Sequence, residues 1–260
     1  MGSYPRPRGA HLGLLVALFV PWLVLALGAN WLSLPASVPQ ALVGSSQGVL
    51  SGEVWRLVTA GFVHTWSGRG AVTHLLFNLL VLYFFGTTLH ERWGDRRYLV
   101  FALGSLAFSF ALQALVGSLI TRLDTPYWYG AGGLCDAFLV AWALSAREGE
   151  RVMFYFVLPI SPKAILFITL ALNVLYVVAL GPLTEGLVTP FGGMLAGWLF
   201  GASESPVRKL WLRMKLRRLQ RQAAELAVGR AREIAKKQGG SGLRVIEGGK
   251  SKKPSPRDLN

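Results

Sequence analysis

Charged residues in this chain are spaced so that uncharged, apolar stretches of about twenty residues recur. Crossing the ~30 Å hydrocarbon core of a bilayer takes roughly 20 apolar residues as a helix, so this spacing restricts the fold more than any other feature. Residues 12–32 lie between Arg8 and Glu53, residues 70–90 between Arg69 and Glu91, and residues 98–121 between Arg97 and Arg122. Residues 126–146 are interrupted only by Asp136, residues 164–184 fill the interval from Lys163 to Glu185, and residues 186–203 end at Glu204. The pattern predicts an all-α polytopic membrane protein: a bundle of six transmembrane helices over residues 11–203, preceded by a short segment at 1–10. With 52% hydrophobic and 15% charged residues, against about 25% charged in soluble domains, an ordinary soluble domain and whole-chain disorder are both excluded. The apolar run 152–162 is too short to cross and is expected at the membrane interface ahead of the fifth span. One cysteine, Cys135, excludes a disulfide framework and a cysteine-based zinc site. No metal or cofactor is expected.

The first span follows Arg6 and Arg8 and has small residues near Ala29, as a secretory signal would. Its apolar stretch is long for a cleaved segment, and it reads as an uncleaved helix. With both termini on one side of the membrane, that side collects Arg6, Arg8, Arg92, Arg96, Arg97, Arg147, Arg151, Lys163 and the C-terminal cations. The other side has Arg56, Arg69 and Arg122. The positive-inside bias then places both termini in the cytoplasm, and a plasma (inner) membrane is the expected location. No internal repeat is visible, which argues against a secondary transporter, whose fold usually duplicates itself.

Sixteen of the 27 Lys/Arg and four of the 13 acids fall in residues 206–260, so this stretch carries +12 of the net +14. Residues 204–238 read as a basic amphipathic helix, with Pro206 near its start and Gly239 and Gly240 after its end. Leu212, Leu216, Leu219, Ala223 and Leu226 form a short apolar stripe, and Arg213, Lys215, Arg217, Arg218 and Arg221 lie opposite. Such a helix suits the anionic lipids of the inner leaflet, each cation near the surface adding about 1 kcal/mol. A brief coiled coil between copies is the alternative. Nucleic acid is not an expected partner, because no aromatics beyond Trp211 interleave with the cations. Residues 239–260, rich in Gly, Ser, Lys and Pro, are expected to be disordered.

Polar residues within spans are costly and point to function or to helix–helix hydrogen bonds. On the second span, His74 and Asn78 are four apart and share a helical face. On the fourth, Gly130, Ala131, Gly132 and Gly133 bare the backbone ahead of Cys135 and Asp136. On the sixth, Pro190 precedes Gly193, Gly197 and Gly201, whose spacing of four makes a groove for another helix.

Taken in order, these residues resemble the rhomboids, the family of intramembrane serine proteases, over about residues 10–203. Trp55, Arg56, Thr59, Phe62 and His64 look like the family's stretch before the second span, and His74 and Asn78 fit its H-x-x-x-N pattern. Leu89, Glu91, Arg92, Trp93, Gly94 and Arg97 look like the turn after that span, and the sixth span has the glycine spacing of H-x-x-G-x-x-x-G. By that resemblance, His74 and Asn78 stand where the family keeps oxyanion-hole donors.

The departures concern the chemistry. The family's nucleophile is the Ser of G-x-S-G and its base is the His that opens the glycine pattern. Here those positions hold Gly132 and Pro190. Glycine has no nucleophile, and a proline ring neither takes nor returns a proton. The family's aromatic four places after the serine is Asp136, and Trp66, Ser67 and Gly68 lie in an insertion between His64 and His74. Asp136 is expected to be neutral or to pair with a donor such as His74 or Asn78, either as a structural bond or as a polar contact for a client helix or a small polar ligand. Cys135 is read either as an inert packing residue or as a thiol paired with His74. The resemblance therefore implies a proteolytically inactive rhomboid-like protein, and inactive members of the family bind transmembrane clients. The alternative is an intramembrane serine-type endopeptidase with unconventional or residual activity.

Overall fold

A computed structural model describes residues 6–68, 70–146, 152–154, 158–180, 184–201 and 206–237. Arg69, Arg147 and Arg151, used above to orient the chain, and the expected disorder of 239–260 lie outside the described residues.

The first helix, α1 (Gly9–Trp31), is apolar all round. At ~1.5 Å per residue its 23 residues span about 34 Å. His11, Leu14, Leu18, Leu25 and Gly28 form its buried stripe, while Val16, Phe19, Val20, Val24 and Leu27 stay exposed, as lipid-facing residues would. Three short helices follow: α2 (Ser37–Leu42), α3 (Ser46–Leu50) and α4 (Arg56–Thr59). Ser45 caps α3 by accepting the Gly48 N–H at 3.1 Å.

Helix α5 (Ala71–Val81) passes through one widened turn (Leu82–Gly86) into α6 (Thr87–Leu119). The combined 49 residues are apolar enough to cross a membrane, and as a straight rod would measure about 74 Å. They are divided at Gly94, whose φ of 72° and ψ of 169° break the helix. That left-handed φ is available to glycine without the Cβ penalty other residues incur.

Helix α7 (Gly132–Ser145) has only 14 residues, yet Gly133 to Phe138, Val140, Ala141 and Trp142 are all buried. It packs against α6 and forms the centre of the bundle. The expected span 126–146 is corrected at its start, because residues 126–131 are not helical. Trp128 exchanges both backbone hydrogen bonds with Gly44 (2.8 and 2.9 Å), and the Gly130 N–H reaches the Ala60 carbonyl at 3.0 Å. These long-range bonds satisfy backbone groups that a helix would otherwise pair internally.

Within the run 152–162, β1 (Val152–Phe154) and β2 (Leu158–Ile160) pair antiparallel, with Met153 opposite Pro159. This hairpin is the one sheet among the described residues of an otherwise all-α protein. Helix α8 (Pro162–Leu180) follows, then α9 (Thr189–Ala196), which ends in a second widened turn (Gly197–Gly201). Among the described residues, three helical stretches are long and apolar enough to cross a membrane: Gly9–Trp31, Ala71–Leu119 and Pro162–Ala179. Helix α10 (Pro206–Lys237) is fully exposed from end to end, and from Leu210 onward the chain forms a second unit. Lys215 sits over the Trp211 ring at 5.0 Å within it.

Candidate functional site

Helices α5, α7, α8 and α9 enclose a cavity of 350 Å³. His74 and Asn78 line it from α5, Gly132, Cys135 and Asp136 from α7, Asn173 from α8 and Pro190 from α9; Glu185 enters from the segment before α9. The structure thus brings together residues far apart in sequence, including Gly132 and Pro190, where the resemblance implies the nucleophile and base.

Glu185 is the residue that sequence reasoning passed over, having treated it only as the charge that separates two spans. It is 8% exposed. Its Oε1 accepts the Gly132 N–H at 2.9 Å and lies 3.1 Å from His74 Nε2. A carboxylate only accepts, so Nε2 carries the proton in this pair. The segment is held on both sides of Glu185: the Thr184 carbonyl accepts the Tyr129 N–H at 2.7 Å, and the Val188 N–H donates to Gln113 Oε1 at 2.7 Å. The carboxylate fills the space beside Gly132. A Cβ there would lie 1.9 Å from Glu185 Oε2.

Asn78 has other partners. Its Nδ2 donates back to the His74 carbonyl at 3.1 Å, and its Oδ1 accepts the Cys135 thiol at 3.2 Å. The pair of donors on one oxygen is therefore His74 with the Gly132 backbone, not His74 with Asn78. The thiol and imidazole are turned to different partners, so Cys135 and His74 do not pair. Asp136 corrects another expectation. Its Oδ2 accepts from Asn173 Nδ2 at 2.9 Å, a bond from α7 to α8, while His74 and Asn78 are engaged elsewhere. Asn173 was legible in principle as a lone amide within an apolar span.

Pro190 occupies the first turn of α9, where a residue without an N–H is tolerated because that N–H has no helical acceptor. The glycines after it face α7 at very short range. A Cβ on Gly193 would fall 1.9 Å from the Gly133 carbonyl oxygen, on Gly197 2.6 Å from that of Ala137, and on Gly201 2.3 Å from Ala141 Cβ. His64, ahead of α5, is fully buried, with its ring 5.3 Å from that of His74. Burial foremost, then the neighbouring His74, pushes its pKa down to about 3, with the Phe62 backbone opposing in part. No group of three or more His, Cys, Asp or Glu among the described residues has metal-binding geometry.

Chemically, the arrangement offers a carboxylate held by two N–H donors, a thiol bound to an amide, and a second carboxyl bound to another amide. A hydroxyl or thiol paired to an imidazole is not among its parts. A family model described as "Rhomboid domain" matches residues 51–206. Rhomboid-like protease 3 of Toxoplasma gondii is 26% identical over 110 residues, 38% of this chain and 37% of that protein. The YdcA protein of Bacillus subtilis strain 168, named for a rhomboid protease, is 32% identical over 95 residues, 35% of this chain and 41% of its own length. The chain thus matches less than half the length of each of these curated relatives.

Proposed function

We propose that this chain, which belongs to the rhomboid family, is a proteolytically inactive member that binds transmembrane client proteins in the cavity between α5, α7 and α8. The observation that carries this reading is the pair Gly132 and Pro190 at the positions of nucleophile and base. Serine-type peptide cleavage needs a nucleophile and a group that removes its proton, and neither residue supplies one. The two relatives carry the name of rhomboid proteases, and cleavage is left to them. In this reading the chain crosses the membrane six times with both ends in the cytoplasm, and 11–203 is the client-binding domain. Arg213, Lys215, Arg217 and Arg218 on α10 contact anionic inner-leaflet lipids.

The test is reconstitution with a model transmembrane substrate in liposomes, alongside photocrosslinking from Phe77 and Leu172 at the cavity wall. Crosslinked client without cleavage product supports the reading. Cleavage by the wild-type protein that is lost in Cys135→Ala would replace it with an unconventional thiol-dependent peptidase.

A further inference from the structure

We infer that the Gly132 N–H and His74 form a carboxylate-binding site whose resident ligand is Glu185, and that this built-in ligand is a third block to protease chemistry, beyond the two substitutions. The inference rests on the reading of an inactive site, but its test does not involve clients or cleavage.

The geometry is that of an oxyanion site already filled. Donors that stabilise a developing oxyanion lie about 2.7–3.1 Å from the oxygen they serve. Glu185 Oε1 stands 2.9 Å from one donor and 3.1 Å from the other. A peptide carbonyl seeking the same donors has to displace a charged acceptor, whose hydrogen bonds are roughly twice as strong as neutral ones. The burial is also specific. A carboxylate removed from water is costly unless it is paired, and among the described residues no Lys or Arg lines the cavity. The backbone N–H and the imidazole are what hold it there.

The second consequence is steric. Position 132 has room for a side chain only if the Glu185 carboxyl swings off its donors, because a Cβ would lie 1.9 Å from Oε2 and 2.6 Å from the carboxyl carbon. Gly130 is similarly closed, with a Cβ 2.6 Å from Oε1 at a φ of +126° that already favours glycine. Residue 132 and residue 185 are thus coupled: a side chain at 132 displaces the Glu185 carboxyl from the two donors. The ligand class follows from the donors, which suit a single carboxylate group.

Purified Glu185→Ala, Glu185→Ala/His74→Ala and wild type are melted in sodium acetate or propionate, and in sodium chloride of equal ionic strength. The Glu185→Ala variant is expected to lose several degrees and regain them saturably with either carboxylate. Wild type and the double variant are expected not to respond. No carboxylate effect on folded Glu185→Ala, or an equal effect on all three proteins, overturns the site. Should Glu185→Ala fail to fold, the coupling is read from Gly132→Ser with Glu185 intact, which is expected to lower yield and melting temperature because the new side chain pushes the carboxyl off its donors. A Gly132→Ser protein as stable as wild type with Glu185 intact also overturns it. Client cleavage by wild type would sink the proposed function, and the blocking role of Glu185 with it, but leave the carboxylate response of the site unchanged, so failure of the site and failure of the function are separable.

Discussion

Asn173 of α8 donates to Asp136 of α7 over 2.9 Å, a hydrogen bond between two apolar helices across the floor of the cavity. Removing Asn173 leaves the buried Asp136 carboxyl unsatisfied, at about 1–3 kcal/mol, whereas removing Asp136 leaves the half-buried Asn173 its contact with Met194 Sδ at 3.7 Å. Asn173→Leu is expected to destabilise by that amount and Asp136→Leu by less, with the double variant destabilised by clearly less than their sum. A double-mutant cycle measured by denaturant unfolding in detergent checks this; strict additivity would show that the bond contributes nothing. Asp136→Phe, which places an aromatic where the family has one, is expected to reduce client crosslinking if Asp136 contacts the client.

Close packing of α9 on α7 is a second target. The Cβ of Gly193→Ala would meet the Gly133 carbonyl oxygen at 1.9 Å, and a backbone atom cannot swing aside. Overpacking of this kind typically costs about 1–3 kcal/mol, and the upper end is expected here. Gly104→Ala is the contrasting variant. A Cβ at Gly104 meets nothing within 4 Å on an exposed helix face, so stability is expected to hold or rise by up to ~1 kcal/mol. Melting both variants decides the matter.

Acid sensitivity follows from His64. Its folded-state pKa of about 3 lies below the ordinary histidine value of 6.5, so between those values the unfolded chain binds a proton that the folded chain refuses. Stability is therefore present near neutral pH and falls as pH drops below about 6.5, with a slope approaching ~1.4 kcal/mol per pH unit from this group. His64→Gln removes that slope. The difference in melting temperature between wild type and variant should change steadily from pH 7 to pH 4.5. A constant difference would show that His64 takes up its proton as readily in the folded as in the unfolded chain.

Restoring the family's dyad tests the chemistry. Gly132→Ser/Pro190→His is expected to remain inert, because the Glu185 carboxyl still competes for the donors and crowds the new side chain. Adding Glu185→Gly is expected to allow labelling by a serine-directed fluorophosphonate. Labelling of the two-residue variant at the same rate as the triple would show that Glu185 does not block the site.

For α10, hydrogen exchange in nanodiscs provides the readout. Backbone amides of residues 206–237 are expected to be better protected with anionic than with neutral lipid, and the difference should shrink at high salt. Neutralising Arg213, Lys215, Arg217 and Arg218 together to Gln should remove about 1 kcal/mol of attraction per cation. Equal protection on both lipids would favour pairing between copies.

Legibility differed among the elements for identifiable reasons. The first span was readable almost to its ends, as α1 begins at Gly9 and closes at Trp31, because a run of apolar side chains carries its own signal. The start of the fourth was not. Trp128 and its neighbours are apolar enough to read as helix, and only pairing with Gly44 draws them out of one. Asp136 was conspicuous as an acid in an apolar span, but its partner lay on a helix 37 residues away.

What the sequence determined by itself was the local and the subtractive. Apolar length between charges set the helices, and the absence of a hydroxyl at 132 and an imidazole at 190 needed no fold to be seen. Only the tertiary structure decided what took their place. Glu185 reaches Gly132 across 53 positions of sequence, through a segment anchored to Tyr129 on one side and Gln113 on the other. No periodicity or spacing encodes such a contact, because it exists only after separate helices have packed and one loop has been fixed between them.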